Sequence, residues 1–324
     1  VTNFTPYFFI ELNKEIFKSD NDIKKLKDSL KSILGYKIYY NLVKCDIVDK
    51  HKLYGFTAEK NFKFLRLIFN TSYSMSQASY KLKNAIKISG LNNNSPIKLN
   101  LYESNIEPIL RMMHHTNIKS TGWIIIDDYE ELDINSNSDI CIKTSYKNIK
   151  PYDKIEIHDF SIMSFDIECT SCDGGFPQAC RDGDKIIQIG STFNRLGNKN
   201  CYYKSMITLN SCDPIEGVDV ISCRDEKQLI SEWCKMLLKQ DPDIITGWNI
   251  FGFDEKYIYD RAIKLGLDDE VIKLARQDKS YKFIEKSLSS SALGDNKLYY
   301  FNMVGRVQID LMKVVQRDYN LDSY

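Results

Sequence analysis

The sequence predicts an α/β chain: a compact α+β region followed by a mixed-sheet region. Three observations predict it. Segments rich in aromatic and β-branched residues alternate with segments of helical apolar period. A polar stretch, Asp133–Asp153, holds the cluster Asn135–Ser138 and Pro151, the composition of a domain connection. Beyond it the order is three strands, a helix, a strand and a helix. The expected domains are residues 1–155 and 156–324.

In the first region, Thr5–Leu12 is expected as a strand. Asp22–Leu34 places Ile23, Leu26, Leu30, Ile33 and Leu34 on one helical face, and Gly35 closes it. Its lysines, Lys24, Lys25, Lys27 and Lys31, could approach phosphate, although a solvated face explains them better. Lys37–Val48 and Phe62–Phe69 are expected strands. Met75–Ile88 is an expected helix, and Ile97–Tyr102 a strand after the polar loop Asn92–Ser95. Asn105 is placed as the cap of a short helix containing Pro108. Trp123–Asp127 is the last expected strand of this region.

In the second region the strands are Ile162–Thr170, Lys185–Phe193, Cys201–Leu209 and Ile244–Trp248. The helices are Asp225–Gln240, ended by Asp241-Pro242, and Tyr257–Leu265, stopped by Gly266. Asp173–Asp184 is a Gly-rich loop. This order is that of a ribonuclease-H-like mixed sheet.

Lys and Arg number 44, as do Asp and Glu, so bulk charge signals no nucleic-acid partner and any basic surface is local. No apolar run reaches membrane-spanning length and no signal-peptide pattern opens the chain. The chain begins at Val1 and ends at Tyr324 after an apolar run, so a piece of a longer protein is expected. Nine cysteines without a secretion pattern favour reduced thiols. Cys169 and Cys172 form one CxxC with Cys180 nearby, but no second pair with zinc spacing accompanies them.

The stretch Ile162–Thr170 reads IMSFDIECT. Its apolar residues suit a strand buried on both faces. Asp166 and Glu168, two apart, project from the same face. Like charges that close are costly unless a proton or cation lies between them, and hard oxygen ligands suit Mg²⁺ or Mn²⁺. The alternative is an alternating strand with both carboxylates on a solvated face. Thr246–Asp254, TGWNIFGFD, is a strand end, a turn and a helix start, a junction where α/β sheets commonly hold ligands. Taken alone, Asp254 serves as an N-cap and Asn249 as a turn residue.

Together these stretches resemble a known family. FDIE at Phe165–Glu168 is similar to the first motif of the proofreading exonuclease in family B DNA polymerases, and WNIFGFD at Trp248–Asp254 to the second. DPDIITGWNI (Asp241–Ile250) and MVGRVQIDLM (Met303–Met312) resemble the delta-type branch. YESNIEPILRMMH (Tyr102–His114) resembles its N-terminal domain, and SALGDN (Ser291–Asn296) the polymerases of large eukaryotic DNA viruses. The resemblance implies two-metal 3′–5′ hydrolysis of DNA, with Asp166, Glu168 and Asp254 as catalytic metal ligands for Mg²⁺ or Mn²⁺. It implies that Asn249 and Phe253 shape the single-stranded 3′ end. It further implies as partners the DNA primer end and single-stranded template, the remainder of a polymerase chain and a sliding-clamp processivity factor, with no membrane. An intracellular setting follows, in the nucleus or a cytoplasmic virus factory.

The sequence departs from the family pattern in two ways. A third exonuclease motif, a Tyr with an Asp three or four residues on, has no clear match after Asp254; Tyr319 with Asp322 is nearest in letters. The palm motifs that carry nucleotidyl transfer do not occur in this sequence. Little activity is therefore expected of these residues alone. Two readings of other classes stand beside the polymerase piece: a non-catalytic nucleic-acid-binding module, and a stand-alone exonuclease of the same fold.

Overall fold

The computed structural model describes residues 1–53, 55–134, 136–290, 294–319 and 321–324. Asn135 and the first three residues of SALGDN therefore lie outside the described residues. The chain divides into two compact units, residues 1–132 with 142–155, and residues 133–141 with 156–324. The excursion of 133–141 into the second unit has no signal in its composition. It follows from Asn137, which donates its backbone N–H to Arg276 O at 3.0 Å and its side-chain amide to Ala275 O at 2.9 Å.

The first unit is built on β1 (Tyr7–Glu11), α1 (Asp20–Leu34), α2 (Tyr36–Tyr39), β2 (Leu42–Lys50), β3 (Phe62–Phe69), α3 (Ser72–Lys83), β4 (Leu101–Tyr102) and α4 (Pro108–Thr116). Its sheet runs β2-β3-β1-β4 and packs on α1 and α3 through Phe8, Ile10, Leu26, Leu30, Leu67 and Ala78. Ser19 and Asp22 form a capping box that starts α1 at Asp20, two residues before the expected Asp22. β5 (Ile124–Ile126), β6 (Glu130–Glu131), β7 (Ile142–Lys143) and β8 (Ile149–Pro151) form two short antiparallel ladders, β5 with β8 and β6 with β7.

Four expectations are corrected here. The Lys37–Val48 strand begins only at Leu42, because Gly35 at φ 78° breaks the chain and residues 36–39 wind one helical turn first. The Met75–Ile88 helix starts at a Thr71 cap and stops at Lys83, where Asn84 turns extended. Ile86 and Ile88 then point inward with a period of two, and Ile86 exchanges both backbone hydrogen bonds with Ile97. The Ile97–Tyr102 strand is therefore reduced to that bridge and the two residues of β4. Asn105 caps nothing: α4 starts at Pro108, after Glu107, with no side-chain cap.

The second unit holds β9 (Ser161–Cys169), β10 (Ile186–Arg195), β11 (Tyr203–Leu209), β12 (Asp219–Cys223), α5 (Glu226–Gln240), β13 (Ile244–Gly247), α6 (Asp254–Leu265), α7 (Asp268–Val271), β14 (Ile284–Ser290), β15 (Gly294–Tyr300), β16 (Val307–Asp310) and α8 (Leu311–Asp318). The mixed sheet runs β12-β11-β10-β9-β13-β16. β9, β10 and β11 are an antiparallel meander, and β12, β13 and β16 add parallel pairings. β12 was not foreseen; one buried residue in five leaves almost no period to detect. β14 and β15 form a separate hairpin.

β9 is covered on one face only, which corrects the expectation of burial on both. Met163, Phe165 and Ile167 are buried against α5 and α6, with the Phe165 ring 5.4 Å from that of Trp233. Ser164, Asp166 and Glu168 alternate onto the other face. No helix among the described residues is long and apolar enough to cross a membrane.

Candidate active site

The open face of the sheet is laid out in register. Ser164 lies beside Thr192 and Lys204, Asp166 beside Gly190 and Met206, and Glu168 beside Gln188 and Thr208. The β9–β10 register slips between Ile186 and Gln188, one residue from Glu168. Such bulges re-aim neighbouring side chains. A cleft of about 620 Å³ runs beside Asp166, and Thr192, Lys204, Trp248 and Leu311 contribute to its walls. Lys204 carried no signal in the sequence, because its place on this face depends on the β10–β11 pairing.

The second motif reaches this face through a turn that two glycines permit. A Cβ on Gly247 would fall 2.6 Å from the Phe165 carbonyl oxygen, so only glycine lets β13 pass β9 this closely. At Gly252 it would fall 2.2 Å from Asn249 Oδ1. Asn249 takes a left-handed φ of 60°, which Asn tolerates, and its carbonyl accepts the N–H groups of Gly252 and Phe253. Asp310, at the end of β16, accepts the N–H groups of Asn249 at 3.0 Å and Phe251 at 3.1 Å. It also accepts Met312 N–H at 3.0 Å, which makes it the cap of α8.

This turn delivers Asp254 to Asp166. Asp254 is the first residue of α6, not its N-cap; Phe253 holds the cap position. The side chain is 2 % exposed, and its Oδ1 accepts the backbone N–H of Ile167 at 3.2 Å. Burial, the Asp166 charge and a hydrogen bond with the Asp166 carboxyl push Asp254 up to about 7. Two carboxyls this close need a shared proton or a cation between them. Asp166 and Glu168 themselves are exposed. Among the described residues no three His, Cys, Asp or Glu side chains converge as a ready metal cluster.

The structure places the remaining residues as follows. Phe253 is half-buried, with rings of Phe176 and Tyr257 each 5.2 Å from it. The more accessible aromatic on that side is Phe176, 72 % exposed. Glu255 points into the core, where its Oε2 accepts Phe301 N–H at 2.6 Å and burial pushes its carboxyl well above the ordinary range. Burial likewise pushes the Cys169 thiol up to about 12. Cys172 N–H donates to Asp184, and the Cys180 carbonyl accepts Lys264.

A family model described as DNA polymerase family B, exonuclease domain, matches residues 99–324. The chain belongs to this family. Curated relatives include the DNA polymerases of Pyramimonas orientalis virus, 32 % identical over all of this chain and 38 % of the relative, and of Acanthamoeba polyphaga mimivirus, 34 % identical over all of this chain and 23 % of the relative. The DNA polymerase delta catalytic subunit of Caenorhabditis elegans is 33 % identical over 89 % of this chain and 27 % of its own length. The family B DNA polymerase of the archaeon Pyrobaculum calidifontis shares the fold, with a TM-score of 0.56 and 17 % identity over 98 % of this chain and 33 % of that one. This exonuclease-domain chain thus spans well under half the length of these relatives.

Proposed function

We propose that the second unit performs metal-dependent 3′–5′ hydrolysis of DNA, as the proofreading part of a replicative polymerase. The observation that carries this reading is the buried Asp254 carboxyl held against Asp166 on an otherwise open sheet face. A carboxyl pair that only served the fold would gain nothing from mutual repulsion. Asp166, Glu168 and Asp254 are the residues to hold Mg²⁺ or Mn²⁺, which when bound lowers the pKa of the attacking water and stabilises the leaving 3′ oxygen.

The chain's own contribution is placement. Ile167 N–H fixes one Asp254 oxygen, and Asp310 fixes the turn that presents Asn249. Asn249 and Phe253 orient the 3′-terminal nucleotide; the exposed Phe176 ring beside Phe253 extends that surface. Lys204, across the cleft from Asp166, meets a backbone phosphate. Contacts to backbone and unstacked bases give no sequence preference, so selection comes from how readily a mismatched end frays. DNA is the partner in this reading, with a sliding clamp and the remaining polymerase chain as partners of the longer protein.

Calorimetric titration of Mn²⁺ tests the site. Weak binding is expected, with loss in Asp166→Ala and Asp254→Asn. Equal binding in all three proteins would refute it, and would favour a non-catalytic nucleic-acid-binding module.

A further inference from the structure

The loop between β9 and β10 reads CDGGFPQ from Cys172 to Gln178. Two adjacent glycines give it little conformational preference of its own, and six extended residues could reach about 20 Å. The structure nevertheless fixes both stems of this stretch on one side chain. Asp184, 0 % exposed, accepts Cys172 N–H on one oxygen at 2.8 Å and Gln178 N–H on the other at 2.7 Å. Its backbone carbonyl accepts the Tyr257 hydroxyl at 3.1 Å. Tyr257 lies one turn along α6 from Phe253, and its ring is 5.2 Å from the Phe253 ring. Asp184 thus ties the loop to the helix that begins with Asp254.

The tip between the stems carries Phe176, 72 % exposed, whose ring meets that of Phe253 at 5.2 Å and 64°. Other bonds of the loop serve a different part of it. Arg261 and Lys264 hold the carbonyls of Ala179, Cys180 and Arg181, beyond the second stem. The Asp173–Arg181 ion pair is half-exposed and contributes little. A carboxylate that gives up water must be matched by donors, and two of the donors here are backbone groups that flank Phe176. We propose that Asp184 is a positioning residue for the 3′ end: it clasps the two stems and holds the Phe176 ring beside Phe253, so that both present one surface to the terminal base. The proposal rests on the hydrolytic reading of the second unit. In it Asp184 touches no nucleotide and acts through Phe176.

Fluorescence of 2-aminopurine tests it, with the base placed at the 3′ or the 5′ end of an oligothymidylate and the strand titrated with the 324-residue chain in EDTA, so that nothing is cut. A change confined to the 3′-labelled strand is expected. Phe176→Ala is expected to weaken the affinity read from that change about fivefold or more. Asp184→Asn, which turns one acceptor into a donor, is expected to weaken it by a similar factor. The double variant should bind no more weakly than Phe176→Ala alone, because the two residues act through one chain of contacts. Full affinity in Asp184→Asn, or losses that add in the double variant, would overturn the proposal. Should Asp184→Asn fail to melt cooperatively, hydrogen exchange of the unaltered protein decides. Slow Cys172 and Gln178 amides beside fast Gly174 and Phe176 amides support the clasp, and equal rates overturn it. Absence of any 3′-end change in the unaltered protein would instead remove the hydrolytic reading, and with it the surface that Asp184 positions.

Discussion

Asp310 shows how a carboxylate can look catalytic in sequence and be structural in the fold. It lies in the stretch that resembles the delta-type branch, at the end of the strand beside the second motif. Its oxygens are instead committed to the N–H groups of Asn249, Phe251 and Met312, in a position 2 % exposed. Asn249 and Phe251 lie about sixty residues upstream, so no local pattern could reveal them as its partners. The spacing of Asp166 and Glu168, by contrast, was legible because strand alternation is local. The contact between Asp166 and Asp254 needed the β9–β13 pairing and was legible only through the resemblance. Asp310→Ala should leave these buried donors unsatisfied and cost about 3 kcal/mol in urea unfolding. An unchanged midpoint would show that the turn holds without it.

At the scale of elements, the strongly patterned ones were legible and the ambiguous ones were not. Phe62–Phe69 and the apolar stripe of α1 follow a single period. The 84–102 stretch carries apolar residues that satisfy a helix or a strand equally, and the Ile86–Ile97 bridge decides. The loop after β9 was legible as a loop, but not what braces it. Arg261, 2 % exposed, donates to Glu226 Oε1 at 2.7 Å and to the carbonyls of Ala179 and Arg181, while Glu226 also accepts Ile186 N–H. Arg261→Ala strands a buried carboxylate and should destabilise the second unit by about 3–5 kcal/mol, read by calorimetric melting. A loss below about 1 kcal/mol would contradict the brace.

Asp184 holds the same loop and gives it a pH dependence. The Cys172 thiol, with the N–H groups of Cys172 and Gln178, lowers its carboxyl from 3.8 to about 2. A depressed folded pKa stabilises above the unfolded value and is lost as pH falls through the folded one. The stability gap between the protein and Asp184→Asn should therefore be flat above pH about 4 and close toward pH about 2. A gap that widened with acid would reverse the assignment.

At the scale of the whole molecule, the proposed hydrolysis depends on how many carboxylates would meet the DNA end. Burial and the Asp166 carboxyl push Asp254 up to about 7, and Glu168 follows Asp166 two residues on along the same face of β9. The family resemblance implies a fourth acid, paired with a tyrosine that orients water. Among the described residues, Asp310 is committed elsewhere, and Tyr319 is 63 % exposed with Asp322 exposed nearby. Neither Tyr319 nor Asp322 lines the cleft beside Asp166. The relatives are longer than this chain, so the missing pair has room in the remainder of such a protein. In the proposed mechanism the metal site would then lack one ligand and the water its orienting group, a loss of about 10²-fold or more in rate. These 324 residues alone should therefore shorten a 3′-labelled single strand very slowly in Mg²⁺. A chain extended along its relatives through the next acidic motif should be at least that factor faster, and Asp254→Ala within it should be inactive. Equal rates for the short and extended chains would mean that the catalytic set is already complete here.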